Sequence, residues 1–218
     1  MKKTDRPSLK GYIKVVLLAI LIAFLLRAFV VQAYKIPSSS MEDSLLAGDF
    51  ILVNKLHYRF NEPRPGEIIV FKYPLNSSKD MVKRILAVEG QSVEIKNKIV
   101  YVDGKIVSEP LSAKHIDARI LPGDYSARDN FGPEQVPAGY LFVLGDNRDN
   151  SQDSREWGFL DMSLVKGKAL IVYWSWTADP YAPKFRSPYI TPLLEIIFYN
   201  LGHLSERLRL GRIGTVIK

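Results

Sequence analysis

From Val15 to Val31 the chain carries one polar residue, Arg27, in 17 positions. A helix that crosses the hydrocarbon core of a bilayer needs about 20 mostly apolar residues. The pattern therefore predicts a transmembrane anchor over 15–33, behind a basic tail at 1–14. Arg27 falls near the end of the run, where a long side chain reaches the interface while its stem stays in lipid. The Lys-rich N-terminus is expected in the cytoplasm by the positive-inside bias, with everything after Val31 across the membrane. A removed secretory leader fits the same pattern. Val15–Leu26 supplies 12 apolar residues, and Val31-Gln32-Ala33 has the form of a cleavage site. Under either reading the body is exported.

Past the anchor the apolar positions come in short runs. Phe50–Val53, Ile68–Phe71 and Met81–Val88 are rich in β-formers and bounded by Gly, Pro, Asn or Asp. Val93–Ile95 and Ile99–Val102 flank Lys96-Asn97-Lys98, and Asp103-Gly104 precedes Ile106-Val107, which is hairpin chemistry. Leu141–Leu144 and Ala169–Trp176 read as buried strands. Residues 108–139 are rich in Pro, Gly, Asp and Ser without a period, so a long excursion is expected there. Near the end, Leu193, Leu194, Ile197, Phe198, Leu201, Leu204 and Leu208 share one helical face. Glu195, Asn200 and His203 interrupt it, which favours an interfacial or docked helix over a second span. The expected fold is mostly β: one N-terminal transmembrane helix, an antiparallel β catalytic domain over 34–176, and a C-terminal extension, 177–218, with an amphipathic helix.

Composition narrows the function classes. The 218 residues include no cysteine, which excludes disulfides, thiolate zinc sites and cysteine nucleophiles. The net charge of +7 would suit nucleic acid, but its distribution does not. Residues 1–14 and 184–218 each carry +4, leaving −1 for the body between them. Basic ends beside apolar segments meet anionic lipid more often than nucleic acid. No metal or cofactor is expected, since no two of the three His fall at ligand spacing.

Three places carry candidate chemistry. Ser38, Ser39 and Ser40 follow the anchor closely. Alone they read as a helix start, with Ser39/Glu42 or Ser40/Asp43 as a capping pair. A serine nucleophile needs a base, and His57, His115 and His203 have no partner arrangement readable in the sequence. Lys83 is the better candidate. On the strand from Asp80 to Leu86 it shares a face with Met81 and Ile85; if that face is the core side, Lys83 is buried. Burial lowers a lysine pKa and frees an amine able to take a serine proton. Moving it from about 10.4 to about 8 costs roughly 3 kcal/mol. The alternative is an edge-strand lysine pointing to water. The third place is Gly145–Arg155. A calcium loop fails there, because the EF-hand template puts Trp157 or Leu160 where a bidentate Glu belongs. Its Ser151 hydroxyl and its Asp153/Arg155 pair could hold a buried amine and brace the loop.

Pro37-Ser38-Ser39-Ser40-Met41, Arg64–Phe71, Lys83–Ile85 through Glu89-Gly90, and Gly145–Arg155 stand in this order behind an anchor. The set resembles the type I signal peptidases (leader peptidases), membrane-bound Ser–Lys proteases, from about Arg27 to Trp176. Arg209–Ile217 is similar to the family's C-terminal ending. The resemblance implies Ser40 as nucleophile and Lys83 as general base. It implies Ser38 and the backbone N–H of Ser40 as the oxyanion hole, Ser151 as the hydroxyl orienting the lysine, and Asp153 with Arg155 as support. Met41, Leu45 and Val82 fall where the family lines its pocket for small residues. Asp43-Ser44 stand where the family usually has Pro-Thr, and 177–205 is longer than its usual tail. The implied activity is removal of signal peptides after an A-x-A-like site, at a bacterial inner membrane. Secretory precursors are the implied substrates, the lipid bilayer the surroundings, and the secretion translocon a candidate partner. Two rivals remain: a soluble self-cleaving repressor protease, for whose DNA-binding domain the chain has no room, and a membrane-tethered β-domain that binds envelope partners without catalysis.

Overall fold

The computed structural model describes residues 9–177, 179, 181–183 and 190–217. The basic residues before Leu9, and Lys184, Arg186 and Lys218, lie outside the described residues. Helix α1 (Leu9–Phe29) contains Lys10–Phe29, a stretch long and apolar enough to cross a membrane and not buried against the other described residues. Its 20 residues rise about 30 Å, the thickness of a hydrocarbon core. The helix begins earlier and stops earlier than the apolar run alone predicts. Val31–Lys35 forms strand β1, whose backbone pairs with β2 (Asp49–Asn54) from Val31↔Asn54 to Lys35↔Phe50. Lys55 closes the helix end, donating from its backbone N to Val30 O at 2.9 Å and from Nζ to Ala28 O at 2.6 Å. Carbonyls at a helix C-terminus lack partners of their own, so a lysine there both caps them and meets the negative dipole end.

The body holds α2 (His57–Phe60), β3 (Ile68–Tyr73), β4 (Asn76–Val88), β5 (Ser92–Lys96), β6 (Ile99–Val102) and β7 (Lys105–Ile106). These are followed by β8 (Phe131–Gln135), β9 (Tyr140–Leu144), α3 (Ser154–Trp157), β10 (Leu160–Asp161) and β11 (Val165–Ser175). A large antiparallel sheet runs β1-β2-β11-β3-β4-β9-β10, and a smaller one runs β7-β6-β5-β8. The excursion over 108–139 is thus partly ordered, because Phe131–Gln135 pairs with β5. Helices α4 (Ile190–Gly202) and α5 (Leu204–Arg207) follow the body.

The C-terminal extension is not a separate appendage. Trp176 pairs with Leu208 and Ile171 with Val216, so residues 208–217 close back on β11. The anchor of this return is Asp49, fully buried. It accepts from Ser175 Oγ at 2.6 Å and from Arg212 Nη2 at 2.6 Å. Burial pushes the Asp49 carboxyl up, but Arg212 and the other donors outweigh it and hold its pKa below the ordinary value. Gly48 makes the approach possible: at φ +89°, a Cβ there would lie 2.0 Å from the Trp176 carbonyl oxygen.

Candidate active site

After β1 the chain enters tight turns rather than the helix that its serines suggest. Glu42 N donates to Ser39 O at 3.0 Å and Leu45 N to Met41 O at 2.7 Å. Asp43 then sits at φ +79°, outside helical geometry. The hydroxyls are consequently used across the fold and not as caps. Ser39 Oγ accepts from Asn150 Nδ2 at 3.1 Å, and Ser44 Oγ donates to Asp146 Oδ2. Ser40 faces Lys83.

Lys83 sits on β4 opposite Ile69, flanked by Met81 and Ile85 on its own face. It is 1% exposed, and its Nζ lies 2.7 Å from Ser40 Oγ. Burial pushes its pKa down to about 8; the charge of Asp153 opposes this and that of Arg155 assists it. Ser38 Oγ lies 3.4 Å from Ser40 Oγ. Both open on a cleft of about 630 Å³ that Ser151 and Glu156 also line.

Gly145–Arg155 packs against the serine turn from behind. Asn147 N donates to Ser40 O at 3.0 Å, and Asn147 Nδ2 to Ser39 O at 3.2 Å. Gly145 is there because nothing larger fits: a Cβ would lie 2.2 Å from Ser151 Oγ and 2.5 Å from Ser40 O. Asp153 and Arg155 form the expected pair, with Arg155 Nε and Nη2 each 2.8 Å from a carboxylate oxygen. Burial raises the Asp153 pKa, but the Arg155 guanidinium wins and holds it below the ordinary range. Ser151 is placed beside the serine turn, yet its buried hydroxyl makes no hydrogen bond to Lys83.

A recess of about 110 Å³ opens beside Ser40 and Lys83, lined by Ile36, Met41, Val70 and Val82. Leu45, expected in this lining, is absent from it. It is fully buried in the core cluster behind Met41, with Ile51, Val53 and Val172. The backbone bond from Leu45 N to Met41 O turns it inward.

Sequence reasoning missed Arg84 and Asp146. Arg84 Nε and Nη2 donate to the two oxygens of Asp146, each at 2.8 Å, and Nη1 to Gly66 O at 2.6 Å. Arg84 Nη2 also reaches Ser44 Oγ at 3.1 Å. Ser44, the residue that departs from the family pattern, is therefore part of this buried network. It missed Asp149 as well, which moors the excursion: its carboxylate accepts from Lys98 Nζ at 3.1 Å and from Asp117 N at 2.8 Å. The polarity of the loop was a signal for both carboxylates, but their partners were not readable.

A serine hydroxyl against a buried amine, at the mouth of a small apolar recess, is the arrangement of a serine hydrolase. Residues 9–174 match the family model described as "Signal peptidase, peptidase S26". Signal peptidase I of Aquifex aeolicus is 34% identical over a 241-residue alignment covering 88% of this chain and 94% of that protein. The signal peptidase I of Leptolyngbya laminosa is 37% identical over 79% of this chain and 82% of its own length. That of Bacillus caldolyticus is 39% identical over 72% and 86%. The chain belongs to the signal peptidase family, peptidase S26. This membership does not favour the non-catalytic binding module.

Proposed function

We propose that this chain is a membrane-bound serine endopeptidase that removes signal peptides from exported precursors, with Ser40 as nucleophile and Lys83 as its base. The observation that carries the reading is the 2.7 Å approach of a buried Lys83 Nζ to Ser40 Oγ. With a pKa near 8, roughly one Lys83 in ten is neutral at pH 7. The neutral amine takes the Ser40 hydroxyl proton as Oγ bonds to the scissile carbonyl carbon. Ser38 Oγ and the backbone N–H of Ser40 hold the oxyanion. Protonated Lys83 then gives its proton to the leaving amine as the C–N bond breaks, and water releases the acyl group. Asp153 and Arg155 fix the loop behind Ser40, and Ser151 is positioned to orient the amine once substrate enters. The recess formed by Met41 and Val82 admits a side chain about the size of alanine, which suits cleavage after a small residue.

Location supports the same reading. Ser40 follows Phe29, the last residue of the spanning helix, by 11 residues, at most about 40 Å of extended chain. A precursor held by its own apolar segment presents its cleavage site at the membrane surface. Enzyme and scissile bond then meet in one plane, which removes translational entropy from the barrier. The basic tail lies in the cytoplasm and the body on the outer side of a bacterial inner membrane, where the secretion translocon delivers precursors.

Detergent-solubilised wild type and Ser40→Ala are incubated with a labelled precursor, and the new N-terminus is sequenced. Wild type is expected to cut after a small residue, and Ser40→Ala to leave the precursor intact. Cleavage by Ser40→Ala would sink the mechanism.

A further inference from the structure

Helix α4 is mounted the wrong way round for a helix on a water-soluble body. At about 100° per residue, Leu193, Leu194, Ile197, Phe198 and Leu201 occupy a continuous arc of about 140°. All five are exposed, Phe198 at 69% and Leu201 at 62%. The opposite arc holds Pro192, Ile196, Tyr199 and Asn200, and this half-buried or buried side meets the rest of the chain. Tyr199 Oη donates to Asp179 Oδ2 at 2.7 Å, and Arg207 Nη1 to Asn200 Oδ1 at 2.6 Å. The Arg207 guanidinium lies 4.7 Å above the Trp176 ring. A surface helix in water buries its apolar stripe and shows its polar one; here the polar side is moored and the apolar side is exposed among the described residues. Glu195, its single charged residue, lies outside the apolar arc.

We propose that the apolar arc of α4 inserts into the lipid surface of the membrane that α1 spans, as a second attachment of the catalytic domain. The occupant follows from α1: a bilayer is already fixed at the start of β1, and a helix with one apolar arc is what lies in its interface. Exposed Tyr173 and Trp174 on the neighbouring strand are residue types that settle at headgroup level.

The topology gives this contact a purpose. Helix α1 joins β1 at Val31, which pairs with Asn54 and through it with Lys168. Helix α4 is moored at the other end of the same three strands, where Lys35 pairs with Phe50 and Phe50 with Trp174. The two attachments are about 14 Å apart along β1. Held at both ends, β1 lies along the membrane, and Ser40, which follows Lys35, cannot lift away from it. The proposal rests on the membrane-bound reading and adds to it a device that orients the site.

The chain has no cysteine, so single labels are clean. Phe198→Cys, Leu17→Cys and Ile106→Cys, each carrying an environment-sensitive fluorophore, are reconstituted in phosphatidylcholine/phosphatidylglycerol vesicles with and without spin-labelled lipid. Ile106, exposed on β7 of the smaller sheet, serves as the solvent reference. Quenching at 198 several-fold above that at 106 is expected. Quenching at 17 with none above the reference at 198 overturns the proposal and spares the anchor; absence of quenching at 17 sinks the anchor reading instead. Energy transfer between copies at 198 without lipid quenching would assign the face to a second copy of the chain and also overturn it. In the functional arm, Ile197→Glu/Phe198→Glu is expected to process a membrane-embedded precursor about tenfold more slowly and to cut a short soluble peptide at the wild-type rate. Equal losses on both substrates would refute the orienting role.

Discussion

Lys83 and Arg84 are neighbours on β4, both cations, both almost closed to water at 1% and 5% exposure. Alternation along the strand sends them to opposite faces. Arg84 meets a carboxylate with two matched hydrogen bonds, a further hydroxyl and a backbone carbonyl. Lys83 meets the Ser40 hydroxyl, and Asp153 acts on it only through its field. A buried cation with a bidentate acid stays charged and ties elements together. A buried cation facing only a hydroxyl is pushed toward its neutral form. One strand thus supplies a brace and a proposed base from consecutive residues, and what separates them is which face receives the acid.

The sharpest break of this comparison is Lys83→Met. Removing the base is expected to slow cleavage of a labelled precursor by about 10⁴-fold or more in single-turnover assays, with the fold intact. Residual cleavage within tenfold of wild type would place the base elsewhere. Asp146→Ala attacks the other residue. It removes the acid paired with the buried Arg84 guanidinium, and a loss of about 3–5 kcal/mol in denaturant unfolding is expected. Arg84→Met/Asp146→Leu should recover most of that loss, because both charges leave together. A small cost for Asp146→Ala alone would mean that Arg84 does not depend on its acid.

The strand pattern made one half of this pair legible and hid the other. Met81 and Ile85 share the face of Lys83, since a period of two is a local property, and that left burial or an edge position open until the structure showed Lys83 closed to water. Nothing local marked Arg84 as buried, because Asp146 is 62 positions away and only the pairing of β4 with β9 brings it near. The same limit explains the other differences. The apolar run announced a spanning helix, but its end at Phe29 is decided by β1 pairing with β2. The serines read as a helix cap until Asp43 took a left-handed conformation. Leu45 followed Met41 in sequence but turned into the core. Arg209–Ile217 read as similar to the family's ending, and its place in the body depends on Arg209 and Arg212 meeting Asp49 across the fold. The role of α4 was open in its sequence, because amphipathicity does not say which side faces the body.

Ser38→Ala tests the hydroxyl beside the dyad without touching either cation. Loss of one oxyanion donor costs about 10²–10³ in kcat in other serine proteases, and a fall of that size is expected here with KM little changed. A fall in KM and kcat together would mean that Ser38 shapes the substrate's ground state instead.

The smallest effect is the most discriminating, because it concerns Lys83 alone and has a fixed sign. Its pKa is lowered from 10.5 to about 8 on folding. Below pH 8 both folded and unfolded chains carry the proton, and the folded state bears the full cost of a buried charge, about 3 kcal/mol. Between pH 8 and 10.5 the unfolded chain holds more protons than the folded one, so the stability of the wild type rises with pH across that window. Lys83→Met removes the cost. The variant is therefore expected to be more stable than wild type by about 3 kcal/mol at pH 7, with the difference closing by about pH 10.5. Denaturant unfolding of both proteins across that range is the measurement. Cleavage by the wild type should follow the same group, rising about tenfold per pH unit and levelling near pH 8, because only the neutral amine can accept the Ser40 proton. If the stability difference closes in that window but the rate does not level there, Lys83 is buried and neutralised without being the base.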